Sequence, residues 1–452
     1  MNQNENKMGV MPVKKLIITM SLPMMISMLV QALYNIVDSY FVAQISESAI
    51  TAVTLAFPLQ NLMIAVGSGT GVGINALLSR SLGEKRFDKA NTAANTGLFL
   101  TFFNFLVFLI VGVFFAKPFI VSQAETAEIA AYGTAYLQIV NGMSIGLFFQ
   151  MTFERLLQST GRTFESMISQ VTGAVLNIIF DPILIFGIGI FPELGVAGAA
   201  YATILGQCVA AVVGLVLNLT RNHEIQITLP QIVKPDGHTI REIYEVGVPS
   251  ILMMSIGSLM SYLMIQILNS FSSTATAVFG VYFRLQSFFF MPVFGLNNGL
   301  IPVLAYNYGA KNKKRIEEAL RFAMTLAITI MVIGTIVFEV MPEQLLQLFK
   351  AQEEMLRIGV PAMRIIGIHF PLAGASIAMG SIFQAFAKSV YSLIVSVGRQ
   401  LVVLIPAAWL LAQTGEVINV WWAFPIAEVV SLTLSFIFFR KLYRAVVKNL
   451  EN

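Results

Sequence analysis

The chain has 452 residues, of which 56% are hydrophobic and 12% are charged, and its mean hydropathy is +0.77. Soluble domains carry about 25% charged residues, so this composition excludes a water-soluble enzyme. The net charge is +4 and Lys and Arg are spread along the chain, which argues against nucleic-acid binding. The single Cys208 excludes a disulfide framework and a multi-cysteine metal site.

Twelve apolar segments along the chain are long enough to cross a bilayer, because a transmembrane helix needs about 20 mostly apolar residues. No Lys or Arg occurs between Lys15 and Arg80, and the polar residues 44–48 divide this stretch into two spans. The remaining segments lie near residues 90–116, 130–154, 164–188, 195–219, 243–269, 275–305, 317–341, 357–386, 389–411 and 417–439. The sequence therefore predicts an all-α integral membrane protein with twelve transmembrane helices.

The distribution of Lys and Arg predicts the orientation of these helices. With the N-terminus inside, 22 of these residues fall in cytoplasmic loops and tails and two, Lys117 and Lys350, fall outside. Cytoplasmic loops retain positive residues, so both termini are expected to be cytoplasmic. The basic N-terminus resembles the start of a signal peptide, but the apolar run after it is too long and lacks an A-x-A site, so we expect it to stay as the first span.

The two halves of the chain match when the sequence is shifted by half its length. Pro23 then falls on Pro249 and Gly73 on Gly299, without a gap. Each half has an even number of spans, so the repeats are parallel and predict two pseudo-symmetric six-helix bundles, a transporter architecture. The predicted divisions are a cytoplasmic tail at 1–14, an N-lobe at 15–219, a cytoplasmic connector at 220–241, a C-lobe at 242–441 and a cytoplasmic tail at 442–452.

Two aspartates, Asp38 and Asp181, lie inside predicted spans, where an ionisable group is a functional hypothesis by default. Asp38 lies about 8 Å and Asp181 about 10 Å from the outer ends of their spans, hence at similar depth. Polar neighbours share their helix faces: Gln31 and Tyr34 with Asp38, and Asn177 with Asp181. A carboxyl pair in a low dielectric resists a second negative charge, so it can hold a proton or exchange it for sodium or a cationic ligand. The alternative is a structural hydrogen bond between helices.

Several other residues in the predicted spans have more than one possible role. Pro23 and Pro249 predict kinks in the first span of each half, as moving hinges or as static bends. Arg284 lies in a predicted span without a partner evident from sequence, and structural and functional roles both remain open. The glycine run at 67–73 lacks the Lys-Ser/Thr of a phosphate loop and predicts close helix packing instead.

Over residues 12–445 the sequence resembles the multidrug and toxic compound extrusion (MATE) family, and within it a MepA-like bacterial branch. The motifs that carry the resemblance are Ser21-Leu22-Pro23, Tyr34-Asn35-Ile36-Val37-Asp38, Leu82-Gly83, Gln158-Ser159-Thr160-Gly161, Asn177-Ile178-Ile179-Phe180-Asp181-Pro182-Ile183-Leu184-Ile185-Phe186-Gly187, Gly195-Val196-Ala197-Gly198-Ala199-Ala200-Tyr201-Ala202-Thr203, and Pro302-Val303-Leu304-Ala305-Tyr306-Asn307-Tyr308-Gly309.

The resemblance implies a secondary transporter of the bacterial plasma membrane that exports cationic, lipophilic small molecules in exchange for protons or sodium. It implies a cation site formed by Asp38, Asn177, Asp181, Thr203 and the Ala199 carbonyl, and a substrate cavity that Gln31 and Tyr34 line. We assign Arg284 to that cavity as well. The metal ion that we consider is sodium, bound at Asp38, Asn177 and Asp181. We expect no resident metal or cofactor. The expected partners are the substrates and membrane lipid, with no nucleic acid, and the protein is expected to be a monomer.

Some relatives place acidic residues in spans 7 and 10, but residues 246–269 and 365–386 contain none here, which argues against coupling through the C-lobe. Two other classes compete with a drug antiporter. A lipid-linked oligosaccharide flippase of the same superfamily would need several cationic residues in its cavity, for which Arg284 and Arg399 are the main candidates. An intramembrane enzyme would need a His/Glu metal pair or a Ser-Lys arrangement within the spans, and the sequence has neither.

Overall fold

The computed structural model describes residues 5–349 and 351–450, and in this part of the chain every regular element is helical. The chain divides into two compact units. Unit 1 contains Asn6 and Ile26–Ile251, and unit 2 contains Lys7–Met25 and the chain from Leu252 onward. An all-helical architecture is the one that satisfies each backbone polar group within its own segment, as a bilayer requires.

The helices of the first half of the chain include five of 24 residues or more and several shorter ones. They are α1 (Lys7–Val10), α2 (Val13–Ile45), α3 (Glu47–Gly83), α4 (Phe87–Ile110), a π-helical stretch (Val111–Phe115), α5 (Ala116–Val121), α6 (Ala127–Gly142), α7 (Ile145–Ser159), α8 (Thr163–Phe186), α9 (Val196–Arg221) and α10 (Leu229–Ile232).

The second half repeats this order. Its helices are α11 (Gly237–Asn269), α12 (Ser273–Gly309), α13 (Lys313–Val340), α14 (Pro342–Gln347), α15 (Glu353–Gly367), α16 (Phe370–Ala385), α17 (Ser389–Val397), a π-helical stretch (Gly398–Leu404), α18 (Ile405–Ala412), α19 (Val417–Val420), α20 (Ala423–Ala445) and a 3-10 turn (Val447–Asn449).

Ten helices in the described residues are long and apolar enough to cross a membrane, or eleven if the bent pair α15 and α16 is counted as one span. That pair bends by 47° and corresponds to the predicted segment 357–386. The predicted segment 130–154 is likewise divided, into α6 and α7, with Met143 and Ser144 between them. Since α15 begins half a chain length after α6, the break belongs to the internal repeat.

Local details repeat at the same offset. The Ser46 side chain accepts a hydrogen bond from the backbone N–H of Ala49 at the start of α3, and Ser272 accepts one from Ala275 at the start of α12, both at 3.1 Å. These are N-caps, which satisfy a backbone donor that the helix leaves open. Lys85 and Lys311 follow the same two helices with φ of 59° and 57°. The repeat predicted from sequence is therefore confirmed in backbone geometry.

Glycines on α3 and α12 permit backbone contact with a neighbouring helix. In unit 1, a Cβ atom on Gly73 would lie 2.2 Å from the carbonyl oxygen of Ile243 on α11. In unit 2, a Cβ atom on Gly299 would lie 2.8 Å from Cα of Ser21 on α2. Carbon atoms cannot approach other heavy atoms so closely, so only glycine fits. The predicted packing role of the glycine run is confirmed.

The first long helix of each half, which contains Pro23 or Pro249, is divided between the units. α2 contains Pro23 and passes from unit 2 to unit 1 after Met25, and α11 contains Pro249 and passes from unit 1 to unit 2 after Ile251. The boundaries therefore fall within three residues of each proline. This division into units differs from the predicted lobes, which begin at residues 15 and 242. The lobe boundaries stay a prediction.

Candidate cation site in unit 1

The two intramembrane aspartates lie on long helices in unit 1, Asp38 on the part of α2 that belongs to this unit and Asp181 on α8. Asp38 is seven residues before the end of α2, and Asp181 is five residues before the end of α8. α8 ends at Gly187, whose φ of 72° is the left-handed conformation of a C-terminal glycine cap. The helical spacing from Gln31 and Tyr34 to Asp38, and from Asn177 to Asp181, is thus realised in the structure.

The carboxyl groups of Asp38 and Asp181 lie within hydrogen-bonding reach of each other. Asp181 is fully buried and Asp38 is half-buried. Asp38 Oδ1 and both carboxyl oxygens of Asp181 are buried without a hydrogen-bond partner in the described part of the chain. Two facing carboxylates without a donor repel each other and lose hydration, so a shared proton or a bound cation would stabilise the arrangement.

Helix α9 brings the remaining predicted ligands to the same depth. A Cβ atom on Gly198 would lie 2.4 Å from the Leu184 carbonyl oxygen, and one on Gly206 would lie 2.6 Å from that of Gly173. These contacts at both ends make α9 antiparallel to α8, so the residues between Gly198 and Gly206 run alongside the turn of α8 that contains Asp181. The helices can approach this closely because glycine has no side chain at the contact.

Three oxygen-bearing groups therefore lie near the depth of the acid pair. Thr203 is buried and its hydroxyl donates to the carbonyl oxygen of Ala199 at 3.0 Å. Asn177 is buried, and its Oδ1 has no hydrogen-bond partner among the described residues. Carboxylate, amide and hydroxyl oxygens are ligands that hard cations accept. The chemistry of this set suits a proton or a sodium ion, and its role as a coupling site stays a prediction.

Two tyrosine side chains interact electrostatically with the acid pair. Tyr34, predicted from its spacing, interacts electrostatically with both Asp38 and Asp181. Tyr136 on α6 does so too and was not predicted. It is buried, and its hydroxyl donates to Gln60 Oε1 at 3.5 Å. A tyrosine in an apolar span has no distinctive spacing, so no sequence signal identified it. Gln31 is half-buried on the same helix as Tyr34.

Glu154 is a second residue that the sequence analysis missed. It lies on α7, is nine-tenths buried, and interacts electrostatically with Tyr34. The sequence contains a signal for Glu154, because this residue lies within a predicted span. A search for every acidic residue in the spans identifies it, whereas a search for aspartates alone does not. The same search identifies Glu428 on α20, which is 2% exposed.

The other predicted residues lie in unit 2 or at its boundary. Arg284 is exposed on α12. Arg399 lies in the π-helical stretch and forms an ion pair with Glu428 at 3.6 Å. Pro23 and Pro249 lie next to the boundaries described above. The structure therefore brings together Asp38, Asn177, Asp181, Ala199, Thr203 and Tyr34 within unit 1, and it does not place Arg284 in that unit.

In the described residues, no group of three or more His, Cys, Asp or Glu side chains has the arrangement of a metal site. A cation between Asp38 and Asp181 would instead complete its shell with neutral oxygens such as those of Asn177 and Thr203.

A two-repeat helical membrane fold with a buried acidic site between its helices is typical of secondary transporters. The MatE family model matches residues 23–183 and again 249–410, so the second match begins at Pro249, the counterpart of Pro23 in the repeat. The chain belongs to the MatE family and is a membrane transporter.

Curated relatives and solved structures agree with this assignment. Multidrug export protein MepA of Staphylococcus haemolyticus (strain JCSC1435) is 26% identical over 418 residues, which cover 92% of this chain and 90% of that protein. MepA of Staphylococcus aureus (strain MRSA252) is 26% identical over 420 residues, which cover 92% and 91%. Together with the ten apolar helices, these bacterial relatives identify the chain as a multi-pass plasma membrane protein.

Two solved structures have the same fold. A crystal structure of a MATE protein in complex with MaL6 has a TM-score of 0.92 and 25% identity, and the alignment covers 98% of this chain and 99% of that one. An outward-facing multidrug resistance MATE family transporter of the MOP superfamily has a TM-score of 0.91 and 25% identity, with coverage of 99% and 98%.

Proposed function

We propose that this chain is a multidrug efflux antiporter, which exports cationic, lipophilic compounds across the plasma membrane in exchange for protons or sodium ions. The observation that carries the proposal is the facing pair of Asp38 and Asp181, whose buried oxygens have no donor among the described residues. The names of the MepA relatives support export of more than one drug.

The acid pair provides the exchange. A proton or sodium ion that enters from outside neutralises the pair and lowers its affinity for a cationic drug, which then leaves outward. A ligand shifts a transporter between two states only if it binds those states with different affinities. Competition between the drug and the coupling ion for one charged site supplies that difference. The aromatic rings of Tyr34 and Tyr136 beside the carboxyls add a surface for the apolar part of a cation.

The driving force depends on the charge of the cargo. One proton that moves inward gains about 2.3 kcal/mol per 100 mV of membrane potential. Exchange of one proton for a monovalent cation moves no net charge, so in that case the pH gradient alone drives export. A neutral drug would instead be exported by the potential and the pH gradient together.

A lipid-linked oligosaccharide flippase is the less favoured function. Such a protein needs free cationic side chains to hold phosphate groups. Arg399, one of the two candidates, is paired with Glu428, which neutralises its charge. The acid pair in unit 1 would also repel a phosphate. Both observations favour a cationic substrate.

Efflux from proteoliposomes tests the proposal. The purified chain is reconstituted, the vesicles are loaded with ethidium, and pH and sodium gradients are imposed separately. We expect one of the two gradients to accelerate ethidium movement in the direction opposite to the ion. Equal rates with and without each gradient would refute antiport, while accumulation of a lipid-linked precursor in a deletion strain with unchanged drug resistance would indicate a flippase.

We further propose that Pro23 and Pro249 act as hinges. A proline within a helix removes one hydrogen bond and permits a change of angle, and the unit boundaries fall beside both residues. Pro23→Ala restores the missing N–H and is expected to raise thermal stability and slow ethidium efflux, with ethidium binding unchanged. The matched control is Pro58→Ala within α3, which lies entirely in unit 1. Equal slowing by both substitutions would contradict a hinge at Pro23.

A further inference from the structure

The exposed face of α20 changes from apolar to basic along the helix. Val429, Phe436 and Ile437 are 54%, 55% and 53% exposed, and Arg440 and Arg444 follow them as exposed side chains. At 3.6 residues per turn, these five residues lie within a sector of about 100°. The other side of the helix carries buried residues, namely Ala427, Glu428, Ser431, Ser435 and Leu442. One face of α20 is therefore left open by the helices that pack against it.

The basic residues begin where the apolar part of α20 ends. The apolar segment that contains α20 runs from Val417 to Asn449, and the buried Glu428 is its only charged residue before Arg440. Exposed apolar side chains of a span contact acyl chains, and Lys and Arg collect at the cytoplasmic surface of a membrane. We therefore expect Arg440 and Arg444 to lie at the depth of the lipid headgroups, on the predicted cytoplasmic side.

A groove lies along α20 at this boundary. Its volume is about 610 Å³, and the residues that line it are Phe436, Ile437, Arg440, Lys441, Arg444 and Ala445. Pockets for small molecules have volumes of about 300–1,000 Å³, so the groove is large enough for a headgroup. One end of the groove is apolar and the other is basic. It therefore matches a ligand in which a hydrocarbon chain is joined to an anion.

The three cations of the groove have no counter-charge in the described part of the chain. No ion pair there includes Arg440, Lys441 or Arg444. Like charges one turn apart on a helix destabilise it, and Arg440 and Arg444 are spaced in this way. An anion bound between the two guanidinium groups would remove this repulsion.

Neighbouring side chains hold the basic end of the groove in place. Lys441 Nζ lies 5.8 Å from the centre of the Tyr391 ring, which stacks on Phe438 with ring centres 4.6 Å apart. On α13, the Glu317 carboxylate accepts a hydrogen bond from the Tyr443 hydroxyl at 2.6 Å, so this acidic group is engaged by a neutral donor. The ammonium group is thus positioned by aromatic packing and keeps its charge available for a ligand.

The internal repeat does not account for these basic residues. At the offset of half the chain length, Arg440, Lys441 and Arg444 correspond to Gly214, Leu215 and Asn218 of α9. Asn218 is buried and donates to the Phe153 carbonyl oxygen at 3.0 Å. The helix at this position in the first half is therefore neutral and packed, and the basic groove is a feature of the second half alone.

We propose that this groove is a binding site for an anionic phospholipid of the predicted cytoplasmic leaflet. Arg440, Lys441 and Arg444 hold the phosphate group, and an acyl chain lies along Phe436 and Ile437. The planar guanidinium group donates two hydrogen bonds to two phosphate oxygens at once, which makes arginine well suited to this ligand. Basic clusters beside a transmembrane helix attract anionic lipids in the same way. The proposal does not depend on the exchange at Asp38 and Asp181.

Binding of a fluorescent phosphatidylglycerol to the full chain in a neutral detergent tests the proposal. The competitors are phosphatidylglycerol, phosphatidylcholine, inorganic phosphate and poly-glutamate, with the anions compared at equal concentrations of negative charge. We expect unlabelled phosphatidylglycerol to displace the probe far more effectively than the other three. Equal displacement by phosphatidylcholine would show that the headgroup charge does not matter. Equal displacement by phosphate would indicate a site for soluble anions, and by poly-glutamate a site for an acidic protein segment. Each of these results would overturn the proposal.

Three variants locate the site. Removal of the charges in Arg440→Gln with Lys441→Gln and Arg444→Gln is expected to weaken phosphatidylglycerol binding about 100-fold. Arg440→Lys with Arg444→Lys keeps the charges and should weaken binding by less than about tenfold. The matched control is Lys311→Gln with Lys313→Gln and Lys314→Gln, which removes the same charge beside the start of α13 on the same predicted side and should bind like the wild type.

Equal weakening by the two triple variants would mean that only the net charge of the protein matters, and it would overturn the groove as the site. All of these side chains except Lys313 are exposed, so we expect the variants to fold. If the triple variant at α20 does not assemble, wild-type affinity in both Arg440→Gln and Arg444→Gln would overturn the proposal as well.

Discussion

Replacement of Asp181 with asparagine is expected to abolish ion-driven ethidium efflux while the protein still folds. The fully buried Asp181 faces Asp38, and asparagine has nearly the same volume but can neither titrate nor attract a cation. Removal of a positioned proton-exchanging group costs about 100-fold or more in rate. Asp38→Asn should have the same effect. The measurement is the initial rate of efflux from proteoliposomes under the gradient that drives the wild type.

Stability separates this prediction from a structural role. In Asp181→Asn, the new side-chain amide would donate to Asp38 Oδ1, which lacks a donor among the described residues. We therefore expect this substitution to leave the free energy of unfolding unchanged or to raise it by about 1 kcal/mol. Asp88→Asn, the same change on an exposed aspartate of α4, is the control. Full efflux activity in Asp38→Asn and Asp181→Asn would refute the coupling site, and a large loss of stability would make these carboxyls structural.

Replacement of Arg399 with methionine is expected to destabilise unit 2 by about 3 kcal/mol, because it leaves the Glu428 carboxylate buried and uncompensated. Glu428 Oε2 lies 3.6 Å from Arg399 Nη1, and the Glu428 side chain is 3% exposed. The buried Tyr282 and His369 interact electrostatically with this pair but carry no fixed positive charge. The cost lies at the lower end of the range for buried pairs, since Arg399 is 27% exposed.

The double variant Arg399→Met with Glu428→Met should recover most of the lost stability, because an apolar pair of similar volume carries no desolvation penalty. Arg357→Met is the control, since Arg357 and Glu354 form an ion pair at 2.6 Å that is exposed to solvent and therefore contributes little to stability. Unfolding in detergent measures all three. If Arg399→Met costs no more than Arg357→Met, the buried pair does not stabilise unit 2.

These predictions differ in how much of their basis is visible in the sequence. Asp38 and Asp181 stand out because an acidic residue inside an apolar run is rare, and the rise per residue gives their depth. Their mutual contact could not be derived, since it depends on how far each helix is rotated about its axis. Tyr34 was found from its spacing, whereas Tyr136 and Glu154 approach the same site from α6 and α7.

Glu428 and Arg399 illustrate the same limit in unit 2. The sequence shows a glutamate and an arginine far apart along the chain, with nothing to indicate that they meet. The contact arises because α20 packs against the π-helical stretch at Gly398–Leu404. The structure thereby changes the interpretation of Arg399, from a candidate ligand for phosphate to one half of an ion pair.

By itself, the sequence determined the properties that depend on neighbours along the chain: the apolar segments, the repeat at half the chain length and the polar residues that share a helix face with each of the two aspartates. Tertiary structure decided the properties that depend on neighbours in space. These are the facing carboxyls, the breaks between α6 and α7 and between α15 and α16, and the ion pair of Arg399 with Glu428. Periodicity specifies which residues share a helix face, but packing against other helices decides what that face contacts.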